Sequence, residues 1–120
     1  MSESKPISAL IPAARREGDA QIISVSGEID LHNSPELRLE ILRLLAATPL
    51  KKLILNLSAV PYMDSSAIAV LVEALQKLRK TGGRIFVTNL QPRVKGLLEI
   101  ARLDAIFVIT TDEAEAISRQ

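Results

Sequence analysis

The chain has 120 residues, 48% hydrophobic and 24% charged, with 15 basic against 14 acidic side chains and a net charge of +1. That length suits one domain around one core, expected over residues 1–120, and the balanced charge offers no field to attract DNA or an anionic membrane. Cysteine and tryptophan are absent, and there are only two Phe and one Tyr; this excludes disulfides, thiolate metal sites and cysteine nucleophiles, and leaves few stacking surfaces for single-stranded nucleic acid.

Residues 1–6 are polar and are expected to fray. The apolar stretch 7–14 is broken by Pro12 and lacks a signal-peptide core, and no segment approaches the ~18 apolar residues of a membrane span. A cytoplasmic location without membrane insertion is the expectation. Ile7, Ala9 and Ile11 alternate, which predicts a weak strand, and Pro12 assigns it to a sheet edge. Arg15-Arg16-Glu17-Gly18-Asp19 is turn chemistry, with the arginine pair solvated. Residues 21–26 are a second strand, pairing with the first as a hairpin.

Gly27-Glu28-Ile29-Asp30 ends that strand. A helix then opens with Ser34 as N-cap, Pro35 at the first helical position and Glu36 at the positive end of the dipole. Leu37, Ile41, Leu44 and Leu45 form its apolar stripe, and Thr48-Pro49 stops it. Residues 51–57 are the third strand, in which Leu53, Ile54, Leu55 and Leu57 are nearly continuous in apolarity, as in a parallel strand covered on both faces. A helix over 68–80 turns Ile68, Leu71, Val72, Leu75 and Leu78 inward, and Gly82-Gly83 supplies its left-handed cap. Residues 84–88 are the next strand. Gln91-Pro92 starts a helix with Val94, Leu97, Leu98 and Ala101 inward and Gly96 as a weak point. A strand over 105–109 follows, and the capping-box spacing of Thr110 and Glu113 opens a last helix reaching Ile117.

The order β-β-α-β-α-β-α-β-α predicts an α/β fold: a mostly parallel central sheet of about five strands with about four helices, antiparallel near the start. Against this scaffold one stretch displays reactive groups: Val60-Pro61-Tyr62-Met63-Asp64-Ser65-Ser66-Ala67. It lies between the most apolar strand and the best helical pattern, at the C-terminal strand edge where α/β sheets carry function. Asp64 or Ser65 caps the helix, and a phosphate there would meet unpartnered backbone N–H groups and a favourable dipole. On the local pattern alone, Asp64, Ser65 and Ser66 read as a cap.

Gly27-Glu28-Ile29-Asp30, Leu55-Asn56-Leu57, the Tyr62-Met63-Asp64-Ser65-Ser66 motif and the Gly82-Gly83 turn together resemble the STAS domain, in its branch of bacterial anti-sigma factor antagonists. The resemblance spans roughly residues 20 to 117 and preserves the order of elements. It implies a single STAS-like domain that binds an anti-sigma factor, a serine kinase, and releases it once phosphorylated; a serine phosphatase reverses the step. It implies Ser65 as the phosphorylated residue, with Asp30, Tyr62, Asp64, Ser65, Ser66 and Ala67 as partner-binding positions. The family usually has glycine where this chain has Ala67, which points to an altered partner fit. Transcription is then regulated indirectly, without direct nucleic-acid contact, cofactor or metal. STAS domains also serve as constitutive subunits of membrane lipid-transport complexes; the Asp64-Ser65-Ser66 triplet favours the switch. An enzyme using Ser65 as nucleophile would need His32 as its base, and neither a G-x-S-x-G elbow nor an oriented base is present.

Overall fold

The computed structural model describes residues 3–119. Five strands form one sheet in the order β1-β2-β3-β4-β5: β1 (Ala13–Glu17), β2 (Ala20–Ser26), β3 (Lys52–Ala59), β4 (Arg84–Thr88) and β5 (Val108–Thr110). β1 is antiparallel to β2, and every later pairing is parallel. The helices are α1 (Ser34–Ala47), α2 (Ser65–Arg79), α3 (Pro92–Ile100) and α4 (Glu113–Ser118), with a 3₁₀ turn at Leu103–Ala105.

From β2 onward the sheet grows by one strand at a time in one direction. Right-handed crossovers therefore put α1, α2 and α3 on the same face. Leu53, Leu55 and Leu57 of β3, with Ile85 and Val87 of β4, point into that core against Leu37, Ile41, Leu71, Leu75, Leu78, Val94 and Leu98. The alternate residues Ile22, Ile54 and Phe86 face the other side, where Ala116 of α4 covers them. Both faces of β3 are thus buried, as its apolar run requires.

The beginning of the chain differs from the sequence expectation. Residues 7–11 form a tight turn in which the Ile7 N–H donates to the Ile11 carbonyl at 2.9 Å; Leu10 and Ile11 are buried. The edge strand comes after Pro12, and Ala13–Glu17 pairs with β2, leaving Gly18-Asp19 as the hairpin turn. Arg15 is strand rather than turn because its side chain has a partner across the sheet: it meets Glu113 of α4 at 2.9 Å. Of the expected frayed tail, Met1 and Ser2 lie outside the described residues; Lys5 exchanges two 2.8 Å backbone bonds with Ala14.

Four further positions shift. Asn33, not Ser34, precedes the first turn of α1, and Ser34 is buried. Ala101 is exposed at the end of α3, because the helix stops at Ile100 and its last turn points past the core. Residues 103–105 coil as a 3₁₀ turn, so β5 begins at Val108. The last helix is capped two residues later than the sequence suggests: Asp112 accepts from the Glu115 N–H at 2.9 Å, and Glu115 accepts from the Thr111 N–H at 2.8 Å. Glu113 is drawn away to Arg15 and to the Asn56 amide, which donates to it at 2.7 Å.

The glycine turn after α2 is as expected. Gly82 adopts φ +78°, the Gly83 N–H reaches the Leu78 carbonyl at 2.7 Å and the Gly82 N–H reaches that of Arg79, the bond pair of a glycine-terminated helix. Among the described residues no helix is long and apolar enough to cross a membrane.

Candidate functional site: two paired loops at the C-terminal edge of the sheet

Beyond β2 and β3 the chain keeps pairing after the strands end. Ile29 bridges Met63 in parallel register; the Ile29 N–H donates to the Tyr62 carbonyl and the Asp64 N–H to the Ile29 carbonyl, each at 3.1 Å. Ile29 and Met63 are buried, so two apolar side chains hold the loops together and leave their polar neighbours at the rim. This register sets Asp30 beside Asp64, bringing the two carboxylates inferred from separate motifs to one edge.

Asp64 is the N-cap of α2. Its Oδ1 accepts the Ser66 N–H at 2.9 Å and also the Ser66 hydroxyl. The Ser66 hydroxyl bond, supported by the backbone N–H groups of Ser66, Ala67 and Leu31, holds the Asp64 carboxyl below its ordinary range against a smaller opposing effect of desolvation. The following donors, Ala67 N–H and Ile68 N–H, bond to the Asp64 carbonyl. The first turn is therefore largely satisfied already, in contrast to the open set of donors expected from the sequence.

Ser65 is left exposed at the first helical position. Among the described residues neither its N–H nor its hydroxyl takes a hydrogen bond. The two adjacent serines thus differ sharply: Ser66 is tied to Asp64, and Ser65 presents its hydroxyl outward. Ala67 departs from its expected partner-contact role. It is wholly buried and packs among Val25, Ile29, Leu37, Leu55, Leu57, Met63 and Leu71, because the third residue of the helix turns back toward the sheet.

Asp30 organises its own loop. Its carboxylate accepts the His32 N–H at 2.9 Å and the Asn33 N–H at 3.3 Å; Asn33 in turn accepts the Asp30 N–H at 2.8 Å and donates to the Glu28 carbonyl. His32 is an exposed turn residue, 3.8 Å from Asp30. Tyr62 is 37% exposed. The guanidinium of Arg93, in the first turn of α3, stacks 4.6 Å from its ring centroid. Across the helices, Arg38 of α1 makes a bidentate pair with Glu73 of α2 at 2.6 and 2.8 Å.

Comparison with known proteins places this architecture. The model of the STAS domain matches residues 12–116. The chain belongs to the STAS domain family. The anti-sigma-B factor antagonist of Bacillus subtilis is 32% identical over 100 residues, covering 83% of this chain and 89% of that protein. The anti-sigma F factor antagonist of Paenibacillus polymyxa is 28% identical over 97 residues, covering 81% and 83%. The crystal structure of an anti-sigma factor antagonist from Mycobacterium paratuberculosis superposes with a TM-score of 0.79 at 27% identity over 88% of each chain.

Three features of this STAS domain were not read from the sequence: Leu31, which stands 73% exposed on the Asp30 loop; the Arg93 stack on Tyr62; and the Arg38–Glu73 clasp. Leu31 could have been noticed as a lone apolar residue between Asp30 and His32 in a polar turn. The other two join residues 31 and 35 positions apart and leave no local signal.

Proposed function

We propose that this STAS domain is an anti-sigma factor antagonist switched at Ser65. With Ser65 unmodified it binds an anti-sigma factor that is also a serine kinase, and so frees a sigma factor. The kinase transfers the γ-phosphoryl group of ATP to the Ser65 oxygen, releasing ADP and a proton, and the modified protein dissociates. A serine phosphatase restores the binding form. The protein acts in the bacterial cytoplasm, regulates transcription without touching nucleic acid, and catalyses nothing itself.

The observation that carries this reading is the contrast between Ser65 and Ser66. Of these two serines, Ser65 is the one whose hydroxyl is exposed and uncommitted. Phosphorylation adds about −1.5 to −2 charges, here beside Asp64 and Asp30 on the paired loops. Because Asp64 already holds the Ser66 donor, the new charge finds little compensation within the fold and is felt by whatever faces the loop. A tenfold loss of affinity needs only about 1.4 kcal/mol. Asp30, Tyr62, Asp64 and Ser66 frame the phosphorylation site as partner-binding positions.

The test is phosphorylation with the purified partner kinase and ATP, followed by mass mapping. One phosphate on Ser65 is expected; modification elsewhere with Ser65 untouched refutes the assignment. In parallel, Ser65→Asp should bind the anti-sigma factor weakly and Ser65→Ala should bind it irreversibly with respect to ATP. Equal behaviour of the two variants would count against the switch.

A further inference from the structure

Among the described residues, four large hydrophobic side chains are exposed: Leu31 at 73%, Leu39, Tyr62 and Ile100 at 85%. Two of the four, Leu31 and Tyr62, sit on the paired loops that frame Ser65. Leu31 follows Asp30 directly, in a turn fixed by the His32 and Asn33 N–H groups donating to the Asp30 carboxylate, while its own side chain projects. Tyr62 is held by Arg93 on one ring face. Fixed backbone and a stacked ring reduce the entropy lost when these groups are buried by another protein. The surrounding loops carry the acids Glu28, Asp30 and Asp64, with His32 beside Asp30 and Arg93 on Tyr62.

We infer that Leu31 and Tyr62 form a two-point apolar anchor astride Ser65, and that the partner presents an apolar pocket rimmed by basic side chains. This rests on the reading of Ser65 as a partner-binding switch and states what the partner grips. The apolar anchor supplies most of the affinity and the acidic rim steers approach. Phosphorylation then acts in the gap between the two anchors, where added charge keeps the surfaces from closing and leaves both anchors in water. The switch need not move any element of this protein.

The experiment uses the anti-sigma factor kinase captured by Ser65→Ala and identified by mass spectrometry, purified and titrated against Ser65→Ala protein bearing a second change. Leu31→Ala should weaken binding roughly 10- to 100-fold, the value of exposing a buried leucine, chiefly through faster dissociation. Leu31→Asp should weaken it further. Ile100→Ala should leave binding unchanged, because α3 ends at the opposite edge of the sheet. All three should melt with the parent, since neither side chain is buried. Glu28→Gln should slow association at low salt, and the difference should vanish at high salt. Leu31→Ala binding as tightly as the parent overturns the anchor while leaving the Ser65 switch standing. A Glu28→Gln variant with unchanged association overturns the basic rim. If Ser65→Ala captures no anti-sigma factor, the switch reading falls and the anchor with it.

Discussion

Ala67→Gly separates a core role from a contact role at the position where the family usually has glycine. The Ala67 methyl is wholly buried on α2, facing a void of about 10 Å³ between the helices and the sheet. Removing it forfeits about 0.8 kcal/mol of apolar burial and enlarges the void. Glycine inside a helix costs up to about 1 kcal/mol more than alanine. The expected loss is therefore about 1–2 kcal/mol. Unfolding entropy scales at about 2.1 cal/mol/K per residue, so a chain of this size loses roughly 4 °C for each kcal/mol. Thermal unfolding by circular dichroism should show the midpoint falling by roughly 4–8 °C, while affinity for the anti-sigma factor stays at the parent value. Ala67→Val should also destabilise, by about 1–3 kcal/mol, because so small a void cannot take two further methyl groups. An unchanged midpoint for Ala67→Gly, combined with altered partner affinity, would refute the core assignment and return Ala67 to the interface.

Acid should unfold the protein partly through its capping and clasp carboxylates. Asp64 is lowered by the Ser66 hydroxyl and Glu73 by Arg38; groups lowered in the folded state lend stability above their unfolded values near pH 4, and that stability is lost as pH falls through the folded values. Urea midpoints measured from pH 7 to pH 3 should drop, and Asp64→Asn with Glu73→Gln should flatten that limb. The glycines divide by their surroundings. A methyl on Gly83 would stand 2.8 Å from Leu78 and 3.0 Å from the Leu50 carbonyl, so Gly83→Ala should cost about 1–3 kcal/mol in denaturant unfolding. A methyl on Gly96 meets nothing within 4 Å, and Gly96→Ala should stabilise α3 by roughly 0.5–1 kcal/mol.

Much of the site was legible because its signals are local. The Asp64-Ser65-Ser66 run marks a helix start whatever the rest of the chain does, and Gly82-Gly83 marks a helix end. What stayed hidden depends on distant partners. Arg15 and Arg16 look like turn residues until Glu113, almost a hundred positions later, gives Arg15 a reason to lie in a strand. By spacing, the same Glu113 completes a capping box with Thr110; in the fold Arg15 and Asn56 claim its carboxylate, and Asp112 with Glu115 takes over the cap. The turn at 7–11 alternates as a strand would, yet Leu10 and Ile11 both pack inward, which a strand forbids for neighbours.

The sequence by itself determined the order of elements, the parallel sheet, the two-sided burial of β3 and the position of Ser65 at a helix start. Each follows from hydrophobic periodicity and backbone chemistry within a window of a few residues. Tertiary structure alone decided which hydroxyl is free, because that depends on where the Asp64 carboxylate points. It placed Ala67 in the core, because inward and outward faces of a first helical turn are set by the angle at which the helix docks on the sheet. It also brought Asp30 and Leu31 alongside Asp64, across more than thirty residues of chain, by adding one buried parallel pair, Ile29 with Met63, past a shift in the β2–β3 register.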